Sequence, residues 1–212
     1  MSDSIAQGAS QAHAHEEHRD DVGSRLGMWL FLVTEIVLFG GLFLAYSYMR
    51  YLYPVEFHEA GQQLNVTIGV INTIILLTSS LTMVLSVVAI QRADVLKAKL
   101  LVGATIVMGA AFLVNKGFEW AAKFHHGLYP SSEHMATLPH GEQVFYSLYF
   151  SMTGLHGVHV LVGVGVIGTL AVRLHRGREG ASLPVTVENA GLYWHLVDIV
   201  WIYLFPLFYL IA

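Results

Sequence analysis

The chain has no cysteine. That excludes a CxxCH haem attachment, a cysteine-ligated copper centre, an iron–sulfur cluster and a disulfide framework together. Charge is also scarce: Asp, Glu, Lys and Arg make up 12% of the 212 residues, against about a quarter in soluble domains. There is no basic run and no segment interleaving Arg or Lys with aromatics, so nucleic acid is not an expected partner. Residues 1–23 lack the basic start and apolar core of a signal peptide. Their Ser, Gln, Ala, His, Glu and Asp content cannot bury enough apolar area to fold, so a disordered tail is expected, with His13, His15 and His18 solvated.

What is abundant is apolar, at 55% of residues. Five runs exceed the roughly 18 apolar residues that mark a membrane helix, over residues 26–49, 64–90, 100–122, 144–172 and 190–212. At 1.5 Å per residue each is about 34–44 Å long, enough to cross a hydrocarbon core of about 30 Å. Only helices satisfy their own backbone groups over such lengths in lipid. The expected fold is therefore all-α, a polytopic bundle of five transmembrane helices over residues 24–212 behind the tail.

Loop charge gives a direction. Arg19, Arg25, Arg92, Lys97, Lys99, Arg173, Arg176 and Arg178 fall on one side, and only Arg50, Lys116 and Lys123 on the other. The positive-inside rule then puts the N-terminus in the cytoplasm and the C-terminus outside. Gly40, Gly41, Gly109, Gly163, Gly165 and Gly168 are the small residues that let membrane helices approach closely. The outer segment 123–143 holds His125, His126, His134 and His140 without a ligand spacing that defines a metal site, so these read as solvated.

A few ionisable residues remain inside the apolar runs. A charge near the bilayer centre costs at least about 2.5–3.5 kcal/mol, so each needs a partner or a task. Glu35 lies ten residues past Arg25, about 15 Å deep by helical rise. It is either a neutral acid hydrogen-bonded across helices or a group used for proton relay, lipid contact or subunit contact. His156 and His159 are three apart and share a helix face. They can supply half of a metal site, one haem ligand with His195 as the other, or inter-helix hydrogen bonds. His195 and Asp198 repeat that spacing, which suits a local ion pair or an acid that orients a histidine. Glu119 sits near the outer end of its run, at the wrong depth to join Glu35 and His195. One compact binuclear centre built from all of them is not expected. A transporter acting alone would need a continuous polar path, and the second run offers mainly Asn72, Thr78 and Ser79.

Four segments resemble the heme–copper oxidase subunit III family. They are RLGMWLFLVTEIVLFGGLFLAY with Glu35, KGFEW with Glu119, TGLHGVHVLVG with His156 and His159, and ENAGLYWHLVDIVWIYLF with Glu188, His195 and Asp198. Larger members have seven helices around a lipid-filled cleft, and this chain resembles the five-helix form without the first two. The resemblance implies a non-catalytic core subunit of a bacterial terminal oxidase in the cytoplasmic membrane. Such a subunit binds no haem or copper itself, packs on subunit I beside subunit II, holds structural phospholipid, and supports proton uptake and sustained turnover. The same resemblance extends to quinol oxidases and to relatives linked to nitric oxide reduction, and membership of a respiratory supercomplex is compatible with it. Glu35, Glu119, His156, His159, Glu188, His195 and Asp198 are expected as lipid-facing, subunit-facing or inter-helix polar groups, with no catalytic or metal site in this chain.

Overall fold

A computed structural model describes the backbone of residues 2–177 and 183–211, and side chains for residues 22–177 and 185–211. Seven helices follow in order: α1 (Ser2–Leu52), α2 (Pro54–Gln62), α3 (Val66–Gln91), α4 (Val95–His125), α5 (Glu133–Ala136), α6 (His140–His175) and α7 (Leu183–Tyr209). Five of them carry spans long and apolar enough to cross a membrane: Val22–Leu52, Val66–Gln91, Val95–His125, His140–His175 and Val185–Tyr209. The all-α, five-span architecture is thus the one expected. The helix backbone of α1 begins within the segment read as a disordered tail, but the side chains of residues 1–21 lie outside those described.

Most spans run one or two turns past the apolar runs, because the helix ends are set by caps. Asn65 accepts from the Ile68 backbone N–H at 3.2 Å and opens α3. Asp94 does the same for Lys97 at 3.2 Å and opens α4 five residues ahead of the expected start. The α3–α4 turn is a Schellman closure, with the N–H of Ala93 on the Ile90 carbonyl and that of Asp94 on the Ala89 carbonyl, each at 2.9 Å. Ala93 takes a left-handed φ of 57°, where glycine is the usual residue. The short connecting helices α2 and α5 are additions that the hydropathy pattern does not reveal.

The five spans share one packing rule. In α4 the buried residues are Ala98, Val102, Thr105, Gly109, Phe112, Lys116, Glu119 and Lys123, alternating four and three apart. In α3 they include Gly69, Asn72, Leu76, Ser79, Met83 and Ser86. In α7 Val187, Trp194, Trp201 and Phe208 are fully buried, seven apart. That 3.5-residue repeat is the seam of a left-handed bundle. Along α1 the repeat runs Met28, Leu32, Glu35, Phe39, Leu42, Tyr46 and Met49, with Leu32, Phe39 and Tyr46 buried.

Helices α3, α4, α6 and α7 form a ring of four, and α1 docks from outside against α6 and α7. The core is centred on α7, with 56% of its span buried against 11% for α1. Trp194 sits where Gly109 of α4 and Gly163 of α6 leave room: a Cβ at either would fall 2.7 or 2.8 Å from its ring. Gly40, Gly41, Gly165 and Gly168, read as close-approach positions, face open space instead.

Candidate functional site

A polar residue carried into the seam is taken out of water, so it needs a partner within its own helix or on a neighbouring one. Glu35 is the polar position in the α1 seam. Its Oε2 lies 2.9 Å from Nε2 of His159 on α6, with both side chains mostly buried at 13% and 14% exposure. The other ring nitrogen of His159, Nδ1, is 2.7 Å from the Leu155 carbonyl. A carbonyl only accepts, so Nδ1 is the donor in that contact and Nε2 is the nitrogen left to face Glu35. Phe39 meets the His159 ring edge-on at 5.3 Å, and the Tyr193 hydroxyl donates to the His159 carbonyl at 3.0 Å.

The second cluster joins α4, α6 and α7. Lys116 Nζ donates to Glu119 Oε2 at 3.0 Å, to Tyr149 Oη at 3.1 Å and to Tyr209 Oη at 2.6 Å. Both hydroxyls donate in turn to Glu119 Oε1, at 2.7 Å from Tyr149 and 2.5 Å from Tyr209. An ammonium has three N–H groups, so Lys116 keeps none free. Its charge also sits about 5 Å over the rings of Tyr149, Trp201 and Tyr209. One turn on, Lys123 donates to the Gln63 carbonyl at 3.1 Å beneath α2. The sequence reading placed Lys116 and Lys123 among the outer-side charges. The structure buries them, at 5% and 8% exposure, inside the α4 seam. Lys116, Tyr149 and Tyr209 were the functional-looking residues missed, and the three-residue spacing of Lys116 and Glu119 was the available signal.

The histidine and acid of α7 do not pair with each other. His195 Nδ1 is 2.7 Å from Ser80 Oγ on α3. Asp198 is 3% exposed. Ser80 is the hydroxyl that faces it, yet neither carboxyl oxygen meets hydrogen-bond geometry with any described group. His156 separates from His159 in the same way. It is 1% exposed, stacked on Trp201 at 5.3 Å and edge-on to Phe112 at 5.5 Å, with both ring nitrogens unpartnered. It acts here as an aromatic plate between α4 and α7. The structure therefore directs His159 to α1 and His195 to α3, rather than bringing them to a common point. Among the described residues, no group of three or more His, Cys, Asp or Glu side chains could hold a metal ion.

Glu188 lies near the start of α7 and pairs with Arg25 of α1 at 3.0 Å, next to an Asn189–Ser24 hydrogen bond of 2.9 Å. At the opposite end Tyr46 donates to the Leu207 carbonyl at 2.5 Å, and Arg50 donates to the Ile211 carbonyl. Helix α1 is thus tied at both ends and, through Glu35, in the middle. Between these ties an apolar groove of about 370 Å³ opens, bounded by Met28 and Phe31 of α1, Val162 and Val166 of α6, and Ala190 and Tyr193 of α7.

A family model described as cytochrome c oxidase subunit III matches residues 2–212. The chain is 34% identical over 203 residues to the cytochrome c oxidase subunit 3 of Thermostichus vulcanus, covering 94% of this chain and 92% of that one. It is 33% identical over 190 residues to the cytochrome c oxidase subunit 3 of Bacillus subtilis, covering 88% and 86%. A protein of Aeropyrum pernix named heme-copper oxidase subunit I+III matches at 33% over 193 residues, 88% of this chain and 22% of that protein.

Proposed function

Given that the chain belongs to the cytochrome c oxidase subunit III family, and is a multi-pass subunit III of a heme–copper oxidase, we propose that it is a non-catalytic core subunit of a bacterial cytochrome c oxidase. In this role it packs on subunit I beside subunit II, holds phospholipid, and supports proton uptake and sustained turnover. Haem and copper belong to the partner subunits. The naming of subunits I and III as one protein in Aeropyrum pernix supports direct packing of this chain on subunit I. Cytochrome c as electron donor is supported by the names of the relatives, and a quinol oxidase is the alternative.

The observation that carries the reading is the Glu35–His159 contact. It joins an acid on α1, the least buried of the five described spans, to a histidine on α6. The groove beside it, between α1 and the α6–α7 pair, offers an apolar wall for an acyl chain. Of the three cations counted for the outer side, Lys116 and Lys123 are buried and Arg50 is half-buried and bonded to the Ile211 carbonyl, which supports a cytoplasmic N-terminus.

The test is Glu35→Gln in the assembled oxidase, with oxygen consumption followed over many turnovers. The initial rate should stay near wild type while activity decays sooner. An unchanged decay would remove Glu35 from the functional set. Co-purification of a copper-binding subunit II with a cytochrome c docking face would settle the donor, and its absence would favour quinol.

A further inference from the structure

Away from the α1 groove, a second cavity of about 430 Å³ lies at the α3–α4 hairpin, on the side proposed as cytoplasmic. Its rim carries Arg92, Lys97 and Asp94, two cations against one anion. Its wall is apolar, formed by Val88 and Leu85 below Arg92 on α3, and by Leu100 and Leu101 below Lys97 on α4. Val88 and Leu85 precede Arg92 by four and seven residues, so they line about 6 and 10 Å of depth along the helix. The geometry points to a binding site for an anionic phospholipid, its phosphate held at Arg92 and Lys97 and its upper acyl chain lying between α3 and α4. This deepens the phospholipid-holding role proposed above and rests on that reading.

Three observations favour that occupant. The Schellman turn at Ala93 and the Asp94 cap fix the hairpin, and Arg92 and Lys97 both line the one opening beside it. Asp94 pairs with Lys97 at 2.7 Å and caps α4, so the two charges offset each other and the rim keeps the net positive charge of Arg92, with the remaining Lys97 N–H groups as donors. Arg92 makes no ion pair or hydrogen bond through its guanidinium with any described residue, while its backbone N–H closes the helix end. A bidentate guanidinium beside an ammonium suits a phosphate at the depth where lipid headgroups lie, and the apolar wall continues where the chains begin.

The experiment uses the intact oxidase in bilayers containing spin-labelled phosphatidylglycerol or phosphatidylcholine, and measures the fraction of each that is motionally restricted. Wild-type complex should restrict phosphatidylglycerol several-fold more than phosphatidylcholine. Arg92→Gln with Lys97→Gln should bring that ratio close to one, and Leu100→Trp, which fills the groove, should lower restriction of both lipids. Arg173→Gln, a cation elsewhere on the same side, should leave the ratio unchanged. A ratio unaffected by the double variant overturns the site. An equal fall in Arg173→Gln overturns it in favour of diffuse surface charge. Cross-linking of Lys97 to another polypeptide in wild-type complex overturns it in favour of a protein interface. Subunit co-purification and oxygen consumption on the same samples report separately on the subunit reading, so the two failures are distinguishable.

Discussion

Glu35 of α1 and His159 of α6 form a contact of 2.9 Å in which the histidine's other nitrogen is already committed to the Leu155 carbonyl. The pair is the mid-height attachment of α1. Replacing His159 by Phe leaves Glu35 without a donor and should cost about 1–3 kcal/mol. His159→Gln should retain most of the stability. Thermal release of this chain from the purified oxidase checks both, and equal midpoints for the two variants would contradict the assignment.

The Lys116–Glu119 pair makes a different demand. Removing either partner strands a buried charge, so Lys116→Met or Glu119→Leu alone should each destabilise by about 3–5 kcal/mol. The double variant should cost less than the sum, because it removes both charges at once. A double-mutant cycle on complex stability reads the coupling directly, and simple additivity would mean that the cluster does not act as one.

Glycine positions divide by what a methyl group would meet. Gly163→Ala forces a Cβ against Trp194, as does Gly109→Ala, and each should cost about 1–3 kcal/mol through overpacking. Gly165→Ala meets no atom within 4 Å in the chain. Its stability effect should be small, so a loss of assembly without loss of chain stability would mark that face as a subunit contact.

At the α3–α4 hairpin, Ala93→Gly should stabilise by about 1 kcal/mol, because a left-handed φ costs an L-residue what it does not cost glycine. Neighbouring Asp94 adds a pH dependence. Its side-chain contact with Lys97, followed by the backbone bond at the cap, holds its carboxyl below the usual aspartate range. The stabilisation is therefore fully present above the usual aspartate pKa and is lost as pH falls through the lowered folded value. Asp94→Asn keeps an acceptor at the cap and should flatten that part of an acid melting series.

The spans and their number were legible because membrane crossing leaves a compositional trace that no tertiary contact can hide. So was the list of groups needing partners, since Glu35, His156, His159, His195 and Asp198 all interrupt apolar runs. Their partners were not legible. Ser80 draws His195 from α3, and Leu155 with Glu35 occupies both nitrogens of His159, and neither follows from spacing along one helix. Lys116 was misread for a definite reason: loop-charge counting treats a lysine near a helix end as solvated, whereas the four-and-three repeat of α4 carries it into the core. The Asp94 cap explains why α4 outruns its apolar run, and the Asn65 cap starts α3 two residues inside its own.

The ties along α1 have a consequence for how the helix finds its place. With little of its span buried, α1 is fixed along its axis by the seam packing of Leu32, Phe39 and Tyr46 and by the ties Arg25–Glu188, Glu35–His159, Tyr46–Leu207 and Arg50–Ile211. A slip of one turn, about 5.4 Å, would break all four together and leave Glu35 facing hydrocarbon. Alignment of α1 is therefore all-or-none: its polar ties code one register of a seam that apolar packing alone would specify less sharply.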